Sequence, residues 1–392
     1  MYSLLLAIIY VAFISLGLPD SLLGSGWPVM YGELGVPISY AGIITMIIAG
    51  GTIVSSLMSD KMTRKLGAGL VTAISVAMTA GALFGFSVSN SFIMLCILAV
   101  PYGLGAGGVD AALNNYVALH YASRHMSWLH CFWGVGAAIS PYIMGYSLTR
   151  GFGWRSGYRS VSILQIVLTT ILFLSLPLWK KNGKRGTESR SVPLSLSDAL
   201  KIKGVKHVLL AFFSYCALES TAGLWASSYL VEYRGIDSET AARFASLFFI
   251  GITFGRFLCG FVSEKLGDRL LIRLGIVIIV FGVLMVAVPA GIDELALAGL
   301  VVIGLGCAPV YPSVIHSTPE NFGEENSQAI IGIQMASAYT GTTFMPPLFG
   351  LIADNVNIGL YPFYLLVFAV LMLVMTEWLN RIISAKNIRE AH

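Results

Sequence analysis

The sequence predicts an all-α membrane protein of twelve transmembrane helices in two pseudo-symmetric halves of six. Three observations carry that expectation. The 392-residue chain is 56% hydrophobic and only 11% charged, with a mean hydropathy of +0.79. So little polar surface cannot cover a soluble globule of this size. Twelve apolar segments can be marked, at about 4–28, 38–59, 68–88, 92–119, 127–149, 158–179, 206–231, 240–263, 270–290, 294–316, 327–352 and 359–382. Each is near the ~20 residues that span a hydrocarbon core. Finally, short motifs in the first half recur in order in the second.

The first segment is too long for a signal-peptide core and lacks a basic leader or small-residue cleavage site, so it reads as the first membrane helix. Its end, Gly17 to Pro28, holds two prolines and three glycines around Asp20. Such interruption is tolerated at membrane depth only where backbone lines a cavity or packs on protein. Gly17, Asp20, Gly24 and Trp27 share a helical face. Asp20 is expected to accept hydroxyl hydrogens of a solute or to serve as a second protonation site. A buried, hydrogen-bonded packing Asp is the alternative.

The fourth segment carries Asp110, Asn114 and Asn115 within an otherwise apolar run. Gly103, Gly107, Asp110 and Asn114 fall on one stripe, so small residues admit a neighbouring backbone beside the carboxyl. A carboxylate at membrane depth costs at least ~2.5–3.5 kcal/mol, which makes Asp110 a candidate for proton or ion coupling. A polar packing cluster is the alternative. Counting ~1.5 Å per residue from the segment centres sets Asp20 outside the midplane and Asp110 inside it. Two acids at different depths suit proton entry from one side and release to the other.

On the fifth segment His130, Gly134, Ala137 and Pro141 form a stripe, with Trp133 adjoining. His130 reads as a solute hydrogen-bonder or proton relay, or else as a satisfied packing residue. Trp27 and Trp133 can stack on a sugar ring, though aromatics also pack and anchor at interfaces. The hydrophilic break from Lys180 to Lys206 separates the halves, giving 1–179, a linker 180–205, and 206–392. In the second half Glu219 is the third intramembrane acid, a further proton-coupling candidate or a partner for a polar group. Arg256 is expected to pair with a carboxylate near the cytoplasmic gate. Tyr311, Gln334, Tyr339, Asn114 and Asn115 are neutral hydrogen-bonding candidates for the solute.

Orientation follows from Lys and Arg. With the loops after even-numbered helices and the C-terminus taken as cytoplasmic, 18 of the 24 basic residues lie on that side and 5 on the other. Both termini are therefore expected inside. The acidic loop Glu320 to Asn326 runs against the trend. The five cysteines all sit in apolar segments without metal-ligand spacing. There is no Gly-rich phosphate loop and no nucleophile set, so ATP-driven transport and hydrolase chemistry are disfavoured and no cofactor is expected.

The repeats are specific in order. Asp20-Ser-Leu-Leu-Gly24 answers Glu219-Ser-Thr-Ala-Gly223. Ser56, Asp60 and Thr63-Arg64-Lys65 answer Gly260, Glu264 and Gly267-Asp268-Arg269. Gly103-Leu-Gly105 answers Gly304-Leu-Gly306, and Pro141/Gly145 answer Pro346/Gly350. Asp60, Arg64, Glu264 and Arg269 are accordingly expected in interhelical ion pairs that hold one gate closed.

Over essentially its whole length the chain resembles the major facilitator superfamily, and within it the fucose:proton symporter branch. The loop Asp60 to Lys65 is similar to the superfamily's gating motif, with Ser56 where Gly is usual. The branch carries an acid followed four residues later by Asn after Gly-x-Gly, matched here by Asp110, Asn114 and Gly103/Gly105. The acid is Asp rather than the usual Glu, and Asn115 stands where Pro is usual. Tyr311-Pro312 matches an aromatic-Pro pair in the tenth helix, and Asp20 and Pro28 match the first helix more loosely. The resemblance implies alternating access and uptake of a small polar solute, a sugar, by proton symport. It also implies a monomer in a cell membrane, with a bacterial inner membrane expected and no nucleic-acid partner. Efflux of amphipathic compounds by proton antiport and Na⁺-coupled sugar symport are the alternatives.

Overall fold

The computed structural model describes residues 2–37, 40–182, 194–288 and 293–390, and all regular structure among them is helical. The helices are α1 (Tyr2–Gly17), α2 (Leu22–Leu34), α3 (Ala41–Leu66), α4 (Ala68–Val88), α5 (Phe92–His120), α6 (Ser123–Thr149) and α7 (Gly153–Asn182). After them come a short α8 (Leu196–Ala199), α9 (Val205–Glu232), α10 (Ser238–Val286), α11 (Asp293–His316), a short α12 (Thr318–Phe322), α13 (Glu324–Ile352) and α14 (Tyr361–Glu390). The centre of the expected linker, 183–193, lies outside the described residues.

Nine stretches among the described residues are long and apolar enough to cross a membrane. Ser246–Val286 holds two of the expected segments, divided at Gly267, where φ of 72° requires a residue without a Cβ. Glu324–Ala385 holds another two, parted after Ile352. The remaining expected span, 127–149, is the body of α6, a 27-residue helix whose Ser and His side chains dilute its apolar character. All twelve spans are thereby accounted for, and the chain is a multi-pass membrane protein.

The first segment is the one that breaks. Pro19 cannot donate to a helix ladder. The chain passes from α1 to α2 through a tight turn, with Asp20 N bonded to Gly17 O at 3.2 Å and Leu22 N to Pro19 O at 3.1 Å. Asp20 therefore sits at the break itself rather than along a continuous helix.

The chain forms two compact units, Met1–Tyr116 with Leu129–Leu194, and Val117–Trp128 with Ser195–His392. In the first, α4 lies along α7 and α1 also meets α7. A core of Leu22, Trp27, Met30, Leu83, Phe86 and Trp154 fills one end. Glu33 closes that end by accepting from Trp154 Nε1 and Arg155 Nη1, each at 2.9 Å. In the second unit α10 folds along α11, and α9 packs on α13 and α14. Large apolar side chains such as Ile93, Leu174, Val277 and Val367 remain exposed, as expected where lipid tails rather than water cover them.

The sequence repeats reappear as equivalent close approaches. A methyl at Gly103 would strike the carbonyl of Ile48, and one at Gly304 that of Phe248. One at Gly136 would strike Ile14 O, and one at Gly341 would crowd Phe213 O. In each unit the same helices thus touch backbone to backbone through a small residue.

Candidate functional site

In the first unit two acids are tied to one face of α6. Trp133 Nε1 donates to Asp20 Oδ2 at 2.9 Å, and Tyr102 OH of α5 donates to Asp20 Oδ1 at 3.4 Å. Asp20 remains exposed. A methyl at Gly17 would run into the Trp133 carbonyl, so the glycine lets α6 approach closely enough for the indole to reach the acid. One turn back along α6, His130 Nε2 lies 3.1 Å from Asn114 Oδ1, and Asn114 Nδ2 donates to Asp110 Oδ1 at 2.7 Å. This second chain is internal: Asp110, Asn114 and His130 are all buried. Phe13 meets the His130 ring edge-on at 5.4 Å.

The arrangement sorts the expected residues. Asp20 and Trp133 share an open position, with Tyr102 as a third member that the sequence reading missed. Its signal was available: a tyrosine directly before the Gly103 stripe. His130 and Asn114 form a hydrogen-bonded chain to Asp110 rather than an open surface, and Asn115 is buried too. Trp27 departs from its expected place beside Asp20. The break at Pro19 turns α2 so that Trp27 packs into the core with Leu22 and Met30 at 4% exposure.

The second unit carries its own charged cluster. Arg256 was expected to find a carboxylate near the gate, but it pairs with Glu219 at 3.5 Å. Its Nη2 is also 3.5 Å from Tyr215 OH, and its guanidinium lies 5.9 Å from the Tyr311 ring centre. Tyr215 in turn donates to Cys307 O at 3.0 Å. Gln334 is fully buried and accepts from Thr318 Oγ1 at 3.0 Å, a contact between α13 and α12. Tyr339 is half-buried.

The gate residues are rearranged as well. Asp60 and Arg64 bond at 2.7 Å, but within one helix at i,i+4 spacing rather than between helices. Glu264 pairs with Arg124 at 3.2 Å, both well exposed. The tighter contacts belong to Asp268, which accepts from Ser123 Oγ at 2.6 Å and lies 2.6 Å from His316 Nδ1. His316 Nε2 is 3.1 Å from the Tyr121 carbonyl. Neither Asp268 nor His316 stood out in the sequence as a partner. Arg269 lines a pocket of about 210 Å³ with Asp268, Ser317 and Glu320.

Two helical units, each with acids or an ion pair held inside membrane-spanning helices, define a polytopic membrane protein built around buried polar groups. The chain belongs to the Major Facilitator Superfamily, whose profile it matches over residues 9–292 and 207–382. It is similar to the hexuronate transporter of Bacillus subtilis (strain 168), 24% identical over 264 residues, covering 63% of this chain and 62% of that protein. The glucose/mannose transporter GlcP of the same organism is 21% identical over 315 residues, with 77% of each chain covered. The match to Bypass of stop codon protein 6 of Saccharomyces cerevisiae (strain ATCC 204508 / S288c), 22% identical, takes in 65% of this chain and 56% of that protein. The chain thus spans less than two thirds of the length of several curated relatives. Among solved structures, the fold superimposes on FucP in the outward conformation with a TM-score of 0.78, at 15% identity and covering 95% of this chain and 98% of that one. It also superimposes on the proton:xylose symporter XylE with a TM-score of 0.77, at 12% identity, covering 96% and 95%.

Proposed function

We infer that this protein is a secondary-active transporter that imports a small polar solute, a sugar, by proton symport with alternating access in a cell membrane. The observation that carries the reading is the pair of acids bridged by α6. Asp20 is exposed and held by two aromatic donors, as suits a group that meets solute hydroxyls. Asp110 is buried behind an amide and an imidazole. A buried carboxylate is costly, and a proton taken up there removes that cost without any other cation. Loading of the two acids can be linked through α6, because His130 and Trp133 ride on one helix. The glucose/mannose and hexuronate transporters among the relatives, and the sugar symporters sharing the fold, support a sugar-like solute.

The deciding experiment is Asp110→Asn in proteoliposomes. Gradient-driven accumulation should be lost while counterflow exchange of solute persists. Normal accumulation by Asp110→Asn would end the coupling role.

A second reading concerns the charge of the solute. Arg256 is a buried cation beside Glu219 and Tyr215, each at 3.5 Å, and a buried guanidinium suits the carboxylate of an acidic sugar. A thermal-shift comparison of uronates with neutral hexoses separates the two solute classes.

A further inference from the structure

Beneath the break in the first segment, the first unit holds a small cavity between α1, α4, α5 and α7. Ser15, Pro19, Thr79, Tyr102 and Gln165 line it together with apolar side chains, and its volume is about 10 Å³. That is roughly the room that one water needs. Ser15 and Gln165 are 5% and 2% exposed, yet Ser15 Oγ and Gln165 Oε1 have no hydrogen-bond partner in the protein. The orientation of the amide is fixed by its other end: Gln165 Nε2 donates to Ser15 O at 2.8 Å, and a flipped amide would set oxygen against oxygen. Oε1 is therefore the atom left over. Thr79 already gives its hydroxyl hydrogen to Val76 O at 2.9 Å, and Tyr102 gives its own to Asp20 at 3.4 Å. Neither has a hydrogen left for the amide oxygen. Buried polar atoms of this kind are nearly always satisfied, so two of them on one cavity point to a resident partner.

We propose that this cavity is a binding site for a single water molecule that donates to Gln165 Oε1 and accepts from Ser15 Oγ. The Tyr102 phenol oxygen offers its second hydrogen an acceptor. The water then braces the tyrosine that supports Asp20 from behind. Sodium fits the volume but not the chemistry. The lining offers hydroxyls and one amide oxygen, with no carboxylate, and a desolvated cation without a counter-charge is strongly disfavoured.

The test uses the purified full-length protein in sodium-free potassium buffer. Ser15→Ala, Gln165→Leu and the double variant are compared with the parent by thermal unfolding. Ser15→Ala should lower the melting temperature by on the order of 2 °C. The double variant should lose less than the sum of the singles, because both residues act through one water. An unchanged or raised melting temperature for Ser15→Ala would mean a dry cavity, since deleting an orphaned hydroxyl from a dry site is neutral or stabilising. Strict additivity would equally overturn the shared water. A rise in the parent's melting temperature with NaCl but not KCl, abolished in Gln165→Leu, would make the site a cation site instead. Should the variants fail to fold, a density map of the parent in sodium-free buffer decides the matter: one isolated peak between Ser15 and Gln165 is expected, and its absence rejects the site.

Discussion

Trp133 reaches from α6 to the break between α1 and α2 and donates its indole hydrogen to Asp20 at 2.9 Å. The bond fixes the rotamer of an exposed acid that its own irregular backbone would leave free. Trp133→Phe keeps the ring and removes the donor. A hydrogen bond to a carboxylate contributes about 1.5–3 kcal/mol net. If that bond holds Asp20 ready for solute, affinity should fall about tenfold or more, with expression and melting temperature little changed. Equilibrium binding on the purified variant measures this, and an unchanged Kd would leave the indole as mere packing.

The contacts made by the α5–α6 turn rest on Asp268 more than on Glu264. The Arg124–Glu264 pair is 45% and 48% exposed, and such a pair contributes about 0–1 kcal/mol. Asp268 is more enclosed and is held from two elements, by Ser123 and by His316, each at 2.6 Å. Asp268→Asn should therefore open this region more than Glu264→Gln does. Spin labels at Ala122 and Glu320 report the opening as a longer mean distance. Equal distances in both variants would mean that Asp268 holds this region no more than Glu264 does.

Much of this was legible in the chain, and the gaps have physical causes. Span number followed from segment length, and the repeats Gly103/Gly304 marked backbone crossings because only a missing side chain permits them. Asp20 and Trp133 were legible as members of neighbouring stripes. Trp27 was misplaced because stripe arithmetic assumes an unbroken helix, and the turn at Pro19 resets the face. Arg256 found Glu219, 37 positions away, since periodicity gives the face of a helix but not which neighbour covers it. Asp268 and His316 meet across 48 positions for the same reason. Asp60 and Arg64 met locally because i,i+4 spacing sets them on one helix face.

At the start of α6, burial holds the His125 imidazole below the ordinary histidine range, and the adjacent Arg124 adds to the effect while Glu264 opposes it. Arg124 Nε lies 3.4 Å from His125 Nε2, a contact that suits the neutral ring, because an imidazolium has no acceptor. The native state thus binds fewer protons here than the unfolded chain. The residue's contribution is fully present above the ordinary value near ~6.5 and is lost as pH falls through it toward the native value. Melting temperature should fall between about pH 7.5 and 5.5, and His125→Gln should fall less over the same interval. Parallel curves for the two proteins would remove His125 from the acid response.

Asp20 is the residue on which the solute class turns. It is exposed at a chain break, and it is positioned by Trp133 and Tyr102 rather than neutralised by a cation in those bonds. A carboxylate accepting solute hydroxyls makes charge-assisted bonds of about 1.5–3 kcal/mol each, and an amide accepts more weakly. Asp20→Asn should therefore weaken binding by about one to two orders of magnitude. Asp20→Ala should lose more, because solute hydroxyls and the Trp133 and Tyr102 hydrogens would all seek other partners. The measurement is equilibrium binding to purified protein, since uptake assays mix affinity with coupling. The comparison with Asp110→Asn sharpens it, because that variant should retain binding while losing accumulation. An Asp20→Ala protein that binds as tightly as the parent would make Asp20 a bracing residue of the α1–α2 turn. A hydroxyl-rich solute would then have to be argued from Arg256 and its neighbours alone.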